Sequence, residues 1–492
     1  MTIFLDVTTI RGWSRPALGI VRVEAETARQ FLQANDPGIR FCRFDLAYDS
    51  YFEVGPEELS FALARIDAGG DPPPAPAAAL AALIAPAPAA TPVPDVPGAP
   101  AAPPVSPWRR VATRGLAALP RPLQAPARSF ARSRLDGLRG LRSAGRELRR
   151  SAGLLWHGVT PPPAAPAPVA PAAPAPLVKP DILFGPGDVY VSLGLDWDQK
   201  NLPYLYELKQ KLGLKILLMC YDIIPIRLPH LCVADVAAKF SHYFLDVARC
   251  ADRIMCISEY SRADLRKFLE ASQAPVPELG VVRLGCEIAS AGATPPSPAV
   301  AEVLGQRFIL FVSTIERRKN HETLYRAYTR LVDAGVTDLP LLVFVGMAGW
   351  GMNDLMSDLK LDPRIRPYLR ILNHVSDGDL ARLYEQSYFT VYPSLYEGWG
   401  LPVAESLAYG KFCLASAAAS IPEVGGDLIE YVDPWDVPRW AECLRWYIEH
   451  PGDVAQREAA IRSQYRPASW KDTGKALAQA ALALRAEEPE QA

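Results

Sequence analysis

Two glutamates eight residues apart, Glu397 and Glu405, lie on either side of a glycine-rich turn in the stretch YPSLYEGWGLPVAESLAYGK. Gly398 and Gly400 let the backbone approach a ligand closely, and the proline that follows suits the first turn of a helix. Free N–H groups from Gly400 and Leu401 onward then point at an anion such as a phosphate. Two carboxylates beside bound phosphates would repel them. We therefore expect the glutamates to face sugar hydroxyls, which need hydrogen-bond acceptors.

A second candidate is the cationic segment TIERRKNHETL, which follows the apolar run FILFVS. Arg318 and Lys319 lie just before or at the start of a predicted helix. Cations there, added to the positive N-terminal end of the helix, would bind a polyanion such as a diphosphate. The alternative is a solvated charge cluster at a helix end, because basic clusters often mark only protein surface.

A third loop follows the predicted strand YLRILNHV. Ser376 or Asp377 is expected to cap the helix DGDLARLYEQS. A nucleobase would then contact the backbone near His374 and Val375, although capping alone also explains this segment.

These loops need a scaffold that brings them to one edge, and the chain predicts it. Short apolar strands alternate with helices, which indicates parallel sheets covered on both faces, and ligands bind beyond the carboxyl ends of such strands. Two such arrays predict two facing, doubly wound α/β domains, the first from residues 1–70 and 181–290 and the second from 300–475. A C-terminal helix and tail cover 476–492. The segment PELGVVRLGCEIASAGATPPSP is predicted to link the two arrays.

Residues 71–180 are predicted to be an insertion in the first domain. Thirteen prolines in 71–107 and eight in 160–176 predict extended, polyproline-like linkers. Between them, residues 108–157 contain twelve arginines and two acids, a local charge of 12 − 2 = +10, so the rest of the chain carries −2 − 10 = −12. Arginines opposite a leucine stripe would suit an anionic membrane surface through 107–158. A disordered basic spacer explains the composition equally well, and few interleaved aromatic residues argue against nucleic acid.

The composition also bounds the class of protein. The eight cysteines are scattered singly, so neither a disulfide framework nor a structural zinc site is expected. The N-terminus does not have the pattern of a signal peptide, and no run of about 18 apolar residues could span a bilayer. We expect a cytoplasmic protein, with peripheral contact at the inner face of the membrane as a hypothesis.

Four segments taken together resemble a known family: FVSTIERRKNHETL, LNHVSDGDLARLY, YPSLYEGWGLPVAESLAYGK and SIPEVGGDLIEYVDPWD. In this order they are similar to the C-terminal half of family-4 glycosyltransferases (glycosyl transferases group 1), retaining enzymes of the GT-B fold. The resemblance implies that Arg318 and Lys319 neutralise the diphosphate of a nucleotide-sugar donor. Glu397 would hold the donor sugar near its 3- and 4-hydroxyls, and Glu405 would accept hydrogen bonds from the ribose.

The resemblance extends to the first domain, which would be the acceptor side. TTIRGWSRPALGIVRVEAE is similar to the family's glycine loop and places Gly19 near the crevice, with Arg22 on the following helix. YDIIPIRLP and CISEYSRADL match two further family segments. Asp222 is then expected near the acceptor or the donor sugar. Many relatives have histidine where this chain has Tyr221, which would not hold a proton near neutral pH as histidine can.

A pair of aspartates, Asp196 and Asp198, matches the DxD pattern of metal-dependent transferases. Because the pattern is short and lies far in sequence from the cationic segment, we predict a helix cap there and no metal site. No cofactor is expected beyond the nucleotide-sugar co-substrate.

The family resemblance bears on substrates too. The TIERRKNH variant is most similar to mannosyl- and rhamnosyl-transferring members, which favours a GDP-sugar, such as GDP-mannose, over a UDP-sugar. The acceptor would be a glycan or lipid-linked glycan in bacterial surface-polysaccharide synthesis. The alternatives are a non-catalytic GT-B scaffold or binding module, an epimerase, and a phosphorylase, although the sequence offers no candidate for a pyridoxal lysine.

Overall fold

The computed structural model of the protein describes residues 1–13, 19–67, 181–232, 236–288, 292, 294–349 and 351–486. The predicted insertion 71–180 and the end of the tail from residue 487 lie outside these residues. The described residues contain two sheets within one compact unit.

The first sheet has the strand order β3-β2-β1-β4-β5-β6-β7. All neighbouring strands pair in parallel except β2 and β3, which are antiparallel. Its strands are β1 (Ile3–Asp6), β2 (Ile39–Asp45), β3 (Ser50–Val54), β4 (Val189–Ser192), β5 (Lys215–Cys220), β6 (Arg253–Cys256) and β7 (Glu278–Val281). The runs IFLD and VYVS are buried at every position, as expected for central strands covered on both faces.

The helices of this half connect the strands and cover the sheet. They are α1 (Thr8–Gly12), α2 (Ile20–Ala34), α3 (Pro56–Asp67), α4 (Asp196–Gln199), α5 (Leu202–Leu212), α6 (Ile224–Arg227), α7 (Val236–Cys250) and α8 (Glu259–Ala271), with a 3₁₀ turn at Pro229–Leu231.

The second sheet is wholly parallel, in the order β10-β9-β8-β11-β12-β13. Its strands are β8 (Phe308–Val312), β9 (Leu341–Val345), β10 (Leu369–Leu372), β11 (Phe389–Tyr392), β12 (Cys413–Ser416) and β13 (Glu430–Val432). The strand order reverses between β8 and β11, and ligands of doubly wound folds bind at such a switch point.

The helices of the second half include α10 (His321–Asp333), on which Leu324, Tyr328 and Leu331 recur at helical spacing and are buried against the sheet. The others are α9 (Pro298–Leu304), α11 (Asn353–Leu361), α12 (Asp377–Gln386), α13 (Leu401–Ala408), α14 (Ile421–Gly425), α15 (Val437–Glu449), α16 (Pro451–Gln464) and α17 (Trp470–Ala486), with 3₁₀ turns at Arg317–Lys319 and Gly426–Leu428. Helix α17 packs against α2 of the first half, so the end of the chain crosses back.

The fold class predicted from the sequence, two doubly wound α/β sheets, is confirmed. The segment that begins at Pro277 was predicted to be a linker throughout. This prediction is wrong for its first residues, because Glu278–Val281 pairs with β6 as the edge strand of the first sheet. The predicted lack of disulfides agrees with the structure, in which all eight cysteines are free thiols. No helix among the described residues is long and apolar enough to cross a bilayer.

Candidate functional site

The cationic segment forms a 3₁₀ turn, Arg317–Lys319, between β8 and α10. Asn320 ends this turn in the left-handed region at φ 60°. Its side-chain amide donates to the carbonyls of Pro393 (3.1 Å) and Pro434 (2.8 Å), which follow β11 and β13. The turn is thereby fixed against two other loops at the carboxyl edge of the sheet.

Glu397 lies in the loop after β11 and contacts both cations of this turn. One carboxylate oxygen is 2.8 Å from Arg318 Nη1, and the other is 2.7 Å from Lys319 Nζ. The Tyr392 hydroxyl donates to the same carboxylate at 3.1 Å. Burial alone would raise the pKa of Glu397, but Arg318 and Lys319 outweigh it and lower the pKa to about 2. Glu397 is therefore an ionised, buried carboxylate held between two positive charges.

Two further carboxylates lie near Arg318, Lys319 and Glu397. Arg318 also contacts Glu316, at 2.7 Å. Asp222, from the loop after β5 of the first sheet, is close enough for Arg318 to influence it, although burial dominates and raises the pKa of Asp222. Burial also lowers the pKa of Lys319. The structure thus brings Arg318, Lys319, Glu397 and Asp222 together, as the sequence predicted for residues of one crevice.

Glu405 occupies a different environment, inside α13. Its carboxylate accepts a hydrogen bond of 2.8 Å from the Tyr384 hydroxyl and is 8% exposed. Burial raises the pKa of Glu405 to about 7, with Arg22 opposing and Asp377 reinforcing the shift. The two glutamates that the sequence grouped as hydroxyl acceptors therefore differ in charge state: Glu397 is fixed as an anion, and Glu405 titrates near neutrality.

The two positions between the glutamates require glycine for different structural reasons. Gly400 precedes α13 with φ 103°, a conformation that favours glycine, and Leu401 is the first residue of the helix. Gly398 is where two backbones meet, because an added Cβ would lie 2.7 Å from the Tyr221 carbonyl oxygen and 3.0 Å from Asp222 Cβ. The close approach at Gly398 is thus to the first domain.

The predicted cap of α12 is confirmed and belongs to Ser376, whose hydroxyl accepts from the Asp379 amide at 3.1 Å. The neighbouring His374 is exposed and has φ 55°, whereas Val375 is partly buried against the core of the second sheet. Their contact with a nucleobase stays a prediction.

Helix α2 approaches the second domain at Arg22. Gly19 is the residue before the helix, with φ 52° and open space around it, and Arg22 forms an ion pair of 3.3 Å with Asp377. Tyr221, in the position of the family's histidine, donates its hydroxyl to the Leu193 carbonyl at 2.5 Å. Burial raises the pKa of Tyr221 well above its usual value, so this hydroxyl stays protonated.

One charged cluster was missed from the sequence, and it corrects the interpretation of Asp196 as a helix cap. Asp196 is the first residue of α4 but caps no amide; its carboxylate lies 2.7 Å from buried Lys200. Lys200 also contacts Asp6, at 3.1 Å, and Glu24 lies beside them. The i, i+4 spacing of Asp196 and Lys200 was the available signal. Within the part of the chain that the structure describes, no group of three or more His, Cys, Asp or Glu side chains is arranged to hold a metal ion.

Comparison with known proteins agrees with this geometry. Residues 297–465 match the family model of glycosyl transferases group 1. This part of the chain is similar to group 1 glycosyl transferases. The resemblance predicted from the sequence is thereby confirmed for the half that carries Arg318, Lys319, Glu397 and Glu405.

Curated relatives of this chain include O-antigen chain mannosyltransferase B of Escherichia coli, 30% identical over 244 residues that cover 48% of this chain and 60% of the relative. A serotype-specific mannosyltransferase WbdA of Escherichia coli is 26% identical over 48% of this chain and 28% of its own length. The chain thus spans less than two thirds of these relatives. Among solved structures, the sucrose-phosphate synthase of Thermosynechococcus elongatus is similar over 61% of this chain and 73% of that one, with a TM-score of 0.47 and 18% identity.

Proposed function

We propose that the protein is a retaining, metal-independent glycosyltransferase that transfers mannose or a related hexose from a nucleotide-diphosphate sugar. The observation that carries the proposal is the buried contact of Glu397 with both Arg318 and Lys319 at the switch point of the second sheet. The similarity of this half to group 1 glycosyl transferases, and of the chain to mannosyltransferases, supports it.

The contact defines how a donor would bind. The two cations are the natural partners of a diphosphate, which must compete with Glu397 for them. When the diphosphate takes the cations, the Glu397 carboxylate gains free lone pairs that can accept from sugar hydroxyls. Glu405, one helix turn away from the loop, would accept from the ribose. The free N–H groups of Gly400 and Leu401 would add to the phosphate site.

The reaction proposed is departure of the nucleotide diphosphate from the face on which the acceptor attacks, through an oxocarbenium-like ion pair. Negative charge then develops on the leaving phosphate, where the half-buried Arg318 and Lys319 are already oriented. Preorganised charges of this kind lower a barrier because they need no rearrangement during the reaction. Asp222 would face the sugar or the acceptor from the first domain.

The names of the relatives support a choice of donor and acceptor. Mannosyltransferase relatives favour a GDP-sugar, and those that act on O-antigen chains favour a glycan or lipid-linked glycan acceptor in bacterial surface-polysaccharide synthesis. Membrane contact through 107–158, outside the described residues, remains part of the proposal. Flotation of the chain with and without 107–158 on anionic liposomes tests it, and equal flotation of the two forms would end it.

A donor screen tests the proposed function. Thermal unfolding is measured with GDP, UDP, dTDP and their sugars, on the wild type, on Arg318→Ala and on Arg317→Ala. Arg317 is the matched control, because it lies in the same 3₁₀ turn but is exposed. Ligand at 100 times its dissociation constant adds about 2.7 kcal/mol to stability. We expect a shift with GDP or its sugar that Arg318→Ala loses and Arg317→Ala keeps.

The screen also separates the alternative, a non-catalytic scaffold. A nucleotide that binds without sugar transfer to any offered glycan acceptor would favour a binding module. No shift with any nucleotide would contradict the donor site itself.

A further inference from the structure

The loop that carries Glu397 is held by the first domain as well as by its own sheet. Ser258, the residue before α8, caps that helix by accepting from the Ser261 amide at 2.9 Å. The same hydroxyl donates to the Gly398 carbonyl at 2.7 Å, and the Ser261 hydroxyl donates to this carbonyl at 3.1 Å. Both serines are buried. Two hydroxyls of the first domain therefore satisfy one carbonyl beside Glu397.

A carboxylate of the second domain also contacts the first domain. Glu423, in α14, accepts hydrogen bonds from the amides of Glu259 (2.8 Å) and Tyr260 (2.7 Å) at the start of α8. The first amides of a helix have no partner within it, and a negative charge is favourable at this end. Helix α8 is thus capped by its own Ser258 and by the opposite domain.

Where the Glu397 loop meets the first domain, backbone packing leaves room only for glycine at position 398. Any Cβ at Gly398 would meet the Tyr221 carbonyl at 2.7 Å, so the loop approaches the first domain only because residue 398 is glycine. Beside it, the Tyr396 hydroxyl donates to the carboxylate of buried Asp264.

The same loop is tied to the cationic turn. The Leu395 amide donates to the Arg318 carbonyl, and Arg318 Nη1 donates to the Tyr396 carbonyl, both at 2.8 Å. A shift of residues 395–398 therefore displaces the carboxylate of Glu397 and the guanidinium of Arg318 together.

We propose that Ser258, Ser261 and Glu423 form an interdomain clasp that positions the Glu397 loop for sugar transfer. This inference rests on the proposed function. The clasp residues are positioning residues, because they act on the loop and not on the substrate. When the clasp is closed, the first domain fixes the carboxylate and the cations of the second domain in one arrangement. When it is open, the carboxylate and the cations shift together as one unit, so the diphosphate can still bind them but the sugar and its acceptor are no longer aligned.

The test uses the full chain with Ser261→Ala, which removes one donor to the Gly398 carbonyl, and Glu423→Gln, which removes the charge at α8. Ser261→Thr keeps the hydroxyl and should restore the rate. Glu259→Gln is the matched control, since it removes a first-turn carboxylate of α8 that makes no side-chain contact with the second domain in the structure. Loss of a hydrogen bond of ordinary strength predicts a fall in kcat of about fivefold in each variant and about twenty-fold in the double variant.

Two readouts separate positioning from a folding defect. We expect the KM for the donor to stay within about twofold, because the residues proposed to bind the diphosphate all lie in the second domain. Hydrogen exchange of peptides covering residues 394–400 should become faster in Ser261→Ala and Glu423→Gln and remain as in the wild type in Glu259→Gln. Thermal unfolding identifies variants that fail to fold.

The outcomes distinguish the two proposals. If the wild type transfers sugar and both clasp variants keep its kcat and its exchange at 394–400, the clasp is overturned and the proposed function stands. If the wild type transfers from no donor, the proposed function fails and hydrogen exchange still decides the contact. Unchanged protection of 394–400 in both variants then overturns the clasp, and faster exchange supports it.

Discussion

Charged side chains lie at the carboxyl edge of both sheets, but the contacts of their buried carboxylates differ. In the first sheet one lysine, Lys200, contacts two carboxylates, Asp6 and Asp196, and Glu24 is buried beside them. In the second sheet one carboxylate, Glu397, contacts two cations. A single lysine cannot satisfy three acids, whereas Glu397 is held by two cations, one of which, Arg318, also contacts Glu316.

The difference between the two edges appears in the pKa values of Glu24 and Glu397. Burial raises the pKa of Glu24 to about 8, although Lys200 opposes the shift. Burial acts in the same direction on Glu397, yet Arg318 and Lys319 lower its pKa to about 2. Two equally buried glutamates at equivalent edges thus differ because of their cationic neighbours. The comparison indicates that the second edge stabilises a buried negative charge and the first does not.

The largest expected effect concerns stability at the first edge. The pKa of Glu24 is raised from 4.5 to about 8, so its contribution to folding is complete below pH 4.5 and is lost as pH rises to 8. At 1.36 kcal/mol per unit, the loss amounts to about 5 kcal/mol. The unfolding free energy of Glu24→Gln, which stays neutral, should fall less over this range than that of the wild type. Denaturant unfolding at pH 5, 6.5 and 8 measures it.

The control for this prediction is Glu26→Gln, on the same helix, where the carboxylate pairs with Arg29 at the surface of α2. Its pH profile should follow the wild type. A Glu24→Gln profile parallel to the wild type would mean that Glu24 is ionised in the folded protein, and the contrast between the two edges would disappear.

The sequence predicted some elements of the fold correctly and missed others. Helix α12 (Asp377–Gln386) matches the predicted helix DGDLARLYEQS to within one residue, because Ser376 supplies a strong cap and the apolar residues recur at helical spacing. Strand β7 was missed because its four residues include a glycine and an exposed glutamate, and only pairing with β6 makes them a strand.

The same holds for the charged residues. Arg318, Lys319 and Glu397 were identified because each follows a strand of one sheet, and parallel strands bring such loops together. The contact between the cations and the carboxylate was not predicted, because the sequence analysis assigned the cations to phosphates and the carboxylate to sugar hydroxyls. The cluster at Lys200 was missed because Asp6 is almost two hundred residues away in sequence. Burial of charge depends on packing, which the local pattern does not contain.

A smaller effect is expected at the second edge, on catalysis. Lys319→Met keeps the length of the side chain and removes its charge, leaving Glu397 with Arg318 alone. Removing one preorganised donor costs on the order of 10²-fold in rate, so kcat/KM for transfer should fall by about that factor. Steady-state kinetics measures it, with exposed Arg317→Ala as the matched control. Equal losses in the two variants would point to a general effect of surface charge.

The smallest effect tests the competition that the contrast implies. Glu397→Gln removes the negative charge that the two cations now share and leaves both half-buried beside a neutral amide. A diphosphate no longer has to displace a carboxylate from them, so GDP should bind more tightly, by about tenfold, as expected for a charge-assisted contact of about 1.4 kcal/mol. Sugar transfer should fall at the same time, because the acceptor of sugar hydroxyls is lost. Calorimetric titration with GDP measures the affinity, and Glu316→Gln, which contacts Arg318 alone of the two cations, should show a smaller gain. Weaker GDP binding in Glu397→Gln would mean that the carboxylate orients the cations for the diphosphate instead of competing with it.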